Sequence, residues 1–402
     1  MKLKSRPEDF IVREVCARTP GQGRYSLYEL TKRSLGTLEA LRTVRTHWNL
    51  APSQISHAGL KDRHALTTQQ ITIKHGPRSD HVTDLLQLRY LGATDTALGA
   101  ADIVGNAFEI VVRDLTAAQT QSLLQRVPLA AERGVPNYFD SQRFGSLGPS
   151  GQFVAAAWCQ RDFERATWLA LAEYNPHDRS EEKRDKAFLR DHWGDWSACK
   201  ASLSRSNRRS VITYLVDHPD NFRKAFALID PDMRGLYLSA FQSAVWNRML
   251  AATLGPSTNA ADGAQAGGLF EARIADAVLP FVWPQPEDRE RVLPLPSARV
   301  KSPSPPVREL CDAALQPYQL TLETMKLSFP RDKWFSRGDR HAVLFPAELT
   351  AVAGDDEQHP GRSQVRLGFQ LPRGSYATML IRQLTDLATA RPADDSHTVE
   401  AS

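Results

Sequence analysis

The 402-residue chain has no run of about 18 apolar residues, so no segment of it reads as a transmembrane helix. Its amino terminus, MKLKSRPEDF, lacks an apolar core and a small-residue cleavage site, which removes an export signal and leads us to expect a cytoplasmic protein. The four cysteines, Cys16, Cys159, Cys199 and Cys311, are scattered without CxxC pairing, so neither a disulfide framework nor a zinc site is indicated. Also missing are a GxxxxGK[ST] phosphate loop, a GxGxxG fingerprint after a strand, an HExxH helix and a GxSxG elbow. These absences leave chemistry without metal or cofactor as the expectation. Charge of either sign is not in large excess: the net value of +4 permits an RNA partner without requiring one.

What is present is a globular composition, 42% hydrophobic and 24% charged, at a length that implies two or three domains. Its densest stretch is His57–Gln69, HAGLKDRHALTTQ. Short β-type runs on either side, Gln54–His57 and Gln70–Ile73, make it a loop held between strands, with Thr67, Thr68 and Gln69 as its polar exit. Asp62 is the only acid there, and Lys61 and Arg63 favour its ionised form, so it is the candidate nucleophile or base. A solvated charged turn is the competing reading. Asp62 and His64 make a poor metal pair, because cations flank the carboxylate.

A second dense stretch, Asn137–Gly145 (NYFDSQRFG), interleaves aromatics with Asn137, Gln142 and Arg143, a composition suited to stacking a base and bonding its edge. A turn whose aromatics plug the core would use the same residues. Leu371–Thr378 (LPRGSYAT) could offer backbone N–H groups to phosphate or simply cap a helix. In Phe241–Arg248 the apolar members read as core, and Gln242, Asn247 and Arg248 as a polar contact face or as solvated residues.

Periodicity gives strands at Phe10–Val15 and Tyr25–Leu30, joined through Gly21 and Gly23 as an expected hairpin, and then a helix capped by Thr37. A strand at Phe108–Arg113 precedes a helix over Thr116–Glu132. Helical spacing dominates from about residue 153 to Leu254. A Gly/Ala/Asn loop at 255–268 and a proline-heavy extended stretch at 280–306 follow, and strands return at Val343–Phe345 and Gln364–Leu371 ahead of a helix from Ser375. The expected architecture is α+β, a mixed-sheet domain interrupted by a helix-rich insertion: residues 1–152 and 340–390 around 153–339, with a disordered tail at 391–402.

GLKDRHALTTQ resembles the catalytic motif AGxKDRxAxTxQ of the TruD family of pseudouridine synthases. NYFDSQRFG, LPRGSYATMLIRQL, Lys4 with PEDFIVREV, GNAF at Gly105–Phe108 and the QSAVWN helix match further motifs of that family, in its order along the chain. The resemblance implies a catalytic domain split by a TRUD insertion, RNA in the cleft between them, and isomerisation of a tRNA uridine, typically uridine 13, to pseudouridine without metal or cofactor. It assigns Asp62 as the catalytic carboxylate, Phe139 as the stack for the flipped uracil, Asn137 as a positioning group and Lys4 as the cation paired with Asp62. Lys61, Arg63 and Arg143 are its further substrate-binding candidates. A monomer acting on tRNA, without DNA or membrane, is expected. The alternative is a tRNA-binding or RNA-folding protein that keeps the cleft and lacks the chemistry.

Overall fold

The computed structural model describes residues 1–176, 178–254, 270–327 and 334–385; the expected loop at 255–268 and tail at 391–402 lie outside these. The chain divides into two compact units, one holding Met1–Val135 and residues 344–385, the other the described residues from Pro136 to Val343. Residues 136–152, with the NYFDSQRFG stretch, therefore group with the helical unit. No helix among the described residues is long and apolar enough to cross a membrane.

In chain order the first unit contains β1 (Phe10–Cys16), β2 (Tyr25–Arg33), α1 (Thr37–His47), β3 (Ile55–His57), β4 (Leu66–Lys74), β5 (His81–Val82), β6 (Leu86–Thr94), β7 (Ile103–Leu115) and α2 (Ala117–Arg133). Two short strands, β8 (Val135–Pro136) and β13 (Val343–Leu344), mark where the chain leaves and re-enters it. Then come β14 (Ala347–Asp355), β15 (Ser363–Pro372) and α11 (Ala377–Thr385). The strands form one mixed sheet in the order β14-β15-β7-β1-β4-β2-β6-β5, with β3 beside β4. β1 and β4 run parallel, and the intervening β2, α1 and β3 supply the crossover that such a pair requires.

The expected β1–β2 hairpin is therefore wrong: β4 lies between the two, and β1 takes β7 as its antiparallel neighbour. Side-chain packing explains the choice. Phe10 meets Phe108 of β7 edge-on, with ring centroids 6.4 Å apart, and Phe108 stacks in turn on Phe369 of β15. The helix-start expectation also changes. Gly36 is the cap of α1, where Glu39 accepts from the Gly36 N–H, so the Thr37 hydroxyl is left for another partner. The two long strands of this sheet not expected from sequence are β6 and β14; the residues of β14 are nearly all exposed at a sheet edge and so lack the alternation that marks a half-buried strand.

Helix α1 covers the face of the sheet formed by Tyr28 and Leu30 of β2, Ile71 and Ile73 of β4, and Leu86 and Leu88 of β6; Ala40, Leu41 and Val44 of the helix pack into it. At one end of that face the apolar alternation stops. The inward positions become Lys32, Thr67 and Gln69, and all three are buried.

The second unit contains α3 (Val154–Cys159), α4 (Phe163–Leu171), α5 (Ser180–Asp191), α6 (Trp196–Ser202), α7 (Asn207–Asp217), α8 (Phe222–Ala227), α9 (Pro231–Leu254), β9 (Phe270–Ile274), β10 (Ala277–Phe281), β11 (Val292–Pro294), α10 (Pro305–Leu315) and β12 (Asp339–His341). Asp162, Asp195, Ser206 and Asn221 cap α4, α6, α7 and α8 through their side chains. Helix α9 is buried on nearly every side from Tyr237 to Leu250, which makes it the axis of the unit. Of its polar residues, Gln242 and Asn247 are buried in this core and Arg248 lies at its margin. Gln242 donates to the carbonyls of Pro296 and Ser336, and Arg248 pairs with Asp276 at 2.9 Å.

Candidate active site

The charged loop is shorter than the sequence suggested, because Leu66 to Gln69 already belong to β4; it spans residues 58–65. Its shape is set from beneath by the polar end of the α1-covered face. The Lys61 N–H donates to Thr37 Oγ1 at 2.9 Å, Thr37 Oγ1 donates to Gln69 Oε1 at 2.9 Å, and Gln69 Nε2 donates to the Gly59 carbonyl at 3.0 Å. Lys32 Nζ reaches the carbonyls of Leu35 (2.6 Å), Asp62 (2.8 Å) and Lys61 (3.3 Å). Burial pushes the Lys32 ammonium down to about 8, and Asp62 pulls in the opposite direction.

On this platform the Asp62 side chain is 38% exposed, and Lys4 Nζ donates to its Oδ2 at 2.7 Å. Lys4 sits at φ 56°, in the left-handed region, and its ammonium lies 4.1 Å from the centroid of the Phe10 ring. The segment carrying Lys4 is anchored on both sides. Lys2 forms a two-way backbone bridge with Arg113, and Arg6 binds Asp9 and Glu357. Arg113 itself is 1% exposed and engages Asp9, Asp356 and Glu357.

Lys61, expected as a substrate contact, is committed inside the first unit. Its ammonium pairs with Glu14 at 2.8 Å and donates to Asn106 Oδ1 at 2.8 Å, and the Glu14 side chain is fully buried. Glu14 and Asn106 face each other in the β1–β7 register. Gly105, beside them, is required by close approach: a Cβ there would stand 2.3 Å from the Leu371 carbonyl of β15. Arg63 is 56% exposed and 3.3 Å from Glu39. The Leu371–Thr378 stretch forms the turn from β15 into α11, with Gly374 at φ 85°.

In the second unit the Asn137 side chain donates to the His341 carbonyl at 2.9 Å, while its own carbonyl and Oδ1 accept from Arg340 at 2.8 and 2.7 Å. Held in this way, the Arg340 guanidinium lies 4.1 Å from the Phe139 ring centroid and 5.2 Å from that of Trp246. Phe139 is 8% exposed. The Asn247 amide brackets its backbone, accepting from the N–H at 2.8 Å and donating to the C=O at 2.9 Å. Arg143 is exposed and bonds Ser243. The structure thus brings Asp62 together with Lys4, and Asn137 with Phe139 and Arg143, each group within its own unit.

Sequence reasoning gives no role to Lys32 or Arg340, and it places Gln69, Glu14 and Asn106 only within longer motifs. Lys32 and Gln69 did leave a trace, since they occupy core-parity positions on strands that are otherwise apolar there.

The chain is similar over nearly its whole length to known proteins. A Methanosarcina mazei protein named "Probable tRNA pseudouridine synthase D" is 30% identical over 407 residues, covering 95% of this chain and 92% of its own. The Aquifex aeolicus protein named "tRNA pseudouridine synthase D" is 27% identical over 393 residues, covering 96% and 98%. A crystal structure from Methanosarcina mazei, titled as a tRNA pseudouridine synthase D, superposes with a TM-score of 0.71 at 27% identity, covering 96% of this chain and 94% of that one. The fold and these matches define the class: an isomerase, a tRNA pseudouridine synthase. The family model for tRNA pseudouridine synthase D (TruD) matches residues 1–384, and the chain belongs to the TruD family.

Proposed function

We propose that this chain isomerises uridine 13 of tRNA to pseudouridine, with Asp62 as the catalytic carboxylate. The observation that carries the reading is the Lys4–Asp62 pair, at 2.7 Å, on a loop pinned by Lys32, Thr37 and Gln69. The reaction breaks the C1′–N1 glycosidic bond, turns the retained uracil and joins C1′ to C5; the C5 proton is lost and N1 gains one, so nothing is consumed. A single carboxylate can serve as nucleophile or base for this, and Lys4 holds it in place through the 2.7 Å bond. The target base must first leave its stack in the tRNA. We assign Phe139 as the surface on which the uracil stacks, with Asn137 positioning it through Arg340, and Arg63 and Arg143 as phosphate contacts.

The test is to incubate the protein with unmodified tRNA transcripts and map pseudouridine by carbodiimide-blocked primer extension. A stop at position 13 that disappears when uridine 13 is replaced by cytidine is the expected result. Stops elsewhere would refute the position, and tRNA binding with no stop at all would make the chain a binding protein.

A further inference from the structure

Lys32 is the charged group beneath the loop that the reaction above does not use. It is 1% exposed, and its ammonium is spent on three main-chain carbonyls rather than on a carboxylate. Burying a cation in this way is costly, and an apolar residue of similar size would ordinarily serve the core as well or better. The acceptors explain its presence. The Lys61 and Asp62 carbonyls belong to the peptide planes on either side of the Asp62 Cα, and fixing both planes fixes where the Asp62 side chain points. The Leu35 carbonyl ties the same ammonium to the turn leading into α1.

We infer that Lys32 is a positioning residue for the uridine isomerisation, locking the two peptide planes that flank Asp62 and so directing its carboxylate. The inference rests on the reading of Asp62 as the catalytic carboxylate. The charged groups acting on Lys32 are Asp62, Lys61 and Glu39. Lys4 holds the Asp62 carboxylate directly, whereas Lys32 acts only through the backbone. With its ammonium pushed down to about 8 by burial, Lys32 discharges within the working range of an alkaline pH profile, and an arginine in its place would not.

The test is single-turnover pseudouridine formation and tRNA affinity, measured from neutral to alkaline pH for wild type, Lys32→Met, Lys32→Arg and Asp62→Asn. Lys32→Met should turn over about a hundredfold more slowly, the scale expected for a misdirected reacting group, with tRNA affinity unchanged. Lys32→Arg should recover at least about tenfold of that loss and move the alkaline fall in rate upward. A folded Lys32→Met at the wild-type rate would overturn the inference, as would affinity lost in proportion to rate. If Lys32→Met fails to fold, Lys32→Arg decides alone, and an alkaline limb that coincides with that of wild type overturns the inference. Full activity in Asp62→Asn would instead remove the carboxylate reading itself, whatever the Lys32 variants do.

Discussion

Two buried cations in the first unit are handled in opposite ways. Arg113 and Lys32 are each 1% exposed. Arg113 meets Asp9 through two parallel bonds and reaches Asp356 and Glu357, so its charge is matched by carboxylates and held more firmly than in water. Lys32 meets only carbonyl dipoles, and burial pulls it down to about 8. The first arrangement is closed and joins β7 to the amino-terminal segment and to the turn after β14. The second leaves an uncompensated positive charge under the loop that presents Asp62.

The largest effect that would sharpen this contrast is on stability. Arg113→Met removes the buried cation shared by Asp9 and Asp356, leaving Asp9 with Arg6 and Asp356 with His359 and two backbone N–H groups, and should cost about 3 to 5 kcal/mol, read by denaturant unfolding. The pH dependence follows from the same network. Arg113 holds the Glu357 carboxyl down at about 2. Burial alone would raise Asp356, but hydrogen bonds from the Asp114 and Gln358 N–H groups, His359 and Arg113 outweigh it and hold it well below the usual range. Folded pKa values below the unfolded ones mean that this stabilisation is complete above the ordinary carboxylate pKa, near about 4, and is lost as pH falls through the folded values. The gap between wild type and Arg113→Met should therefore narrow on acidification, and a gap constant with pH would contradict the matched-charge account.

Next in size is Lys4→Met, which removes the direct partner of Asp62 at a partly exposed position. Turnover should fall by about a hundredfold with little change in unfolding midpoint. Equal losses in stability and rate would erase the distinction drawn between the two regions. Phe139→Ala should slow turnover by about tenfold or more while tRNA affinity barely moves, because phosphate contacts supply most of the affinity. Parallel losses in rate and affinity would deny Phe139 a stacking role.

The charged loop, the helical middle and the strands at both ends of the chain were legible as patterns, because each carries its own local signature. The partners of β1 were not. Whether Phe10 packs beside Phe108 or across a hairpin depends on contacts about a hundred residues apart in sequence, and no local rule encodes them. Thr37 shows the same limit at the site. Its hydroxyl reads as a helix cap, but Gly36 with Glu39 fills that role and Thr37 instead supports Lys61 and Gln69. The charge setting of Asp62 and the aromatic–amide composition around Phe139 mark both from sequence, and motif resemblance gives each a particular role, whereas Arg340, which lies over the Phe139 ring, is visible only with β12 in place.

The central claim is that one carboxylate on a rigid loop performs the isomerisation. Single-turnover pseudouridine formation by Asp62→Asn, compared with wild type on the same tRNA transcript, tests it most directly. Its rate should be at least about a thousandfold lower, with tRNA affinity and unfolding midpoint essentially those of wild type. An Asp62→Asn protein that forms pseudouridine at the wild-type rate would contradict it.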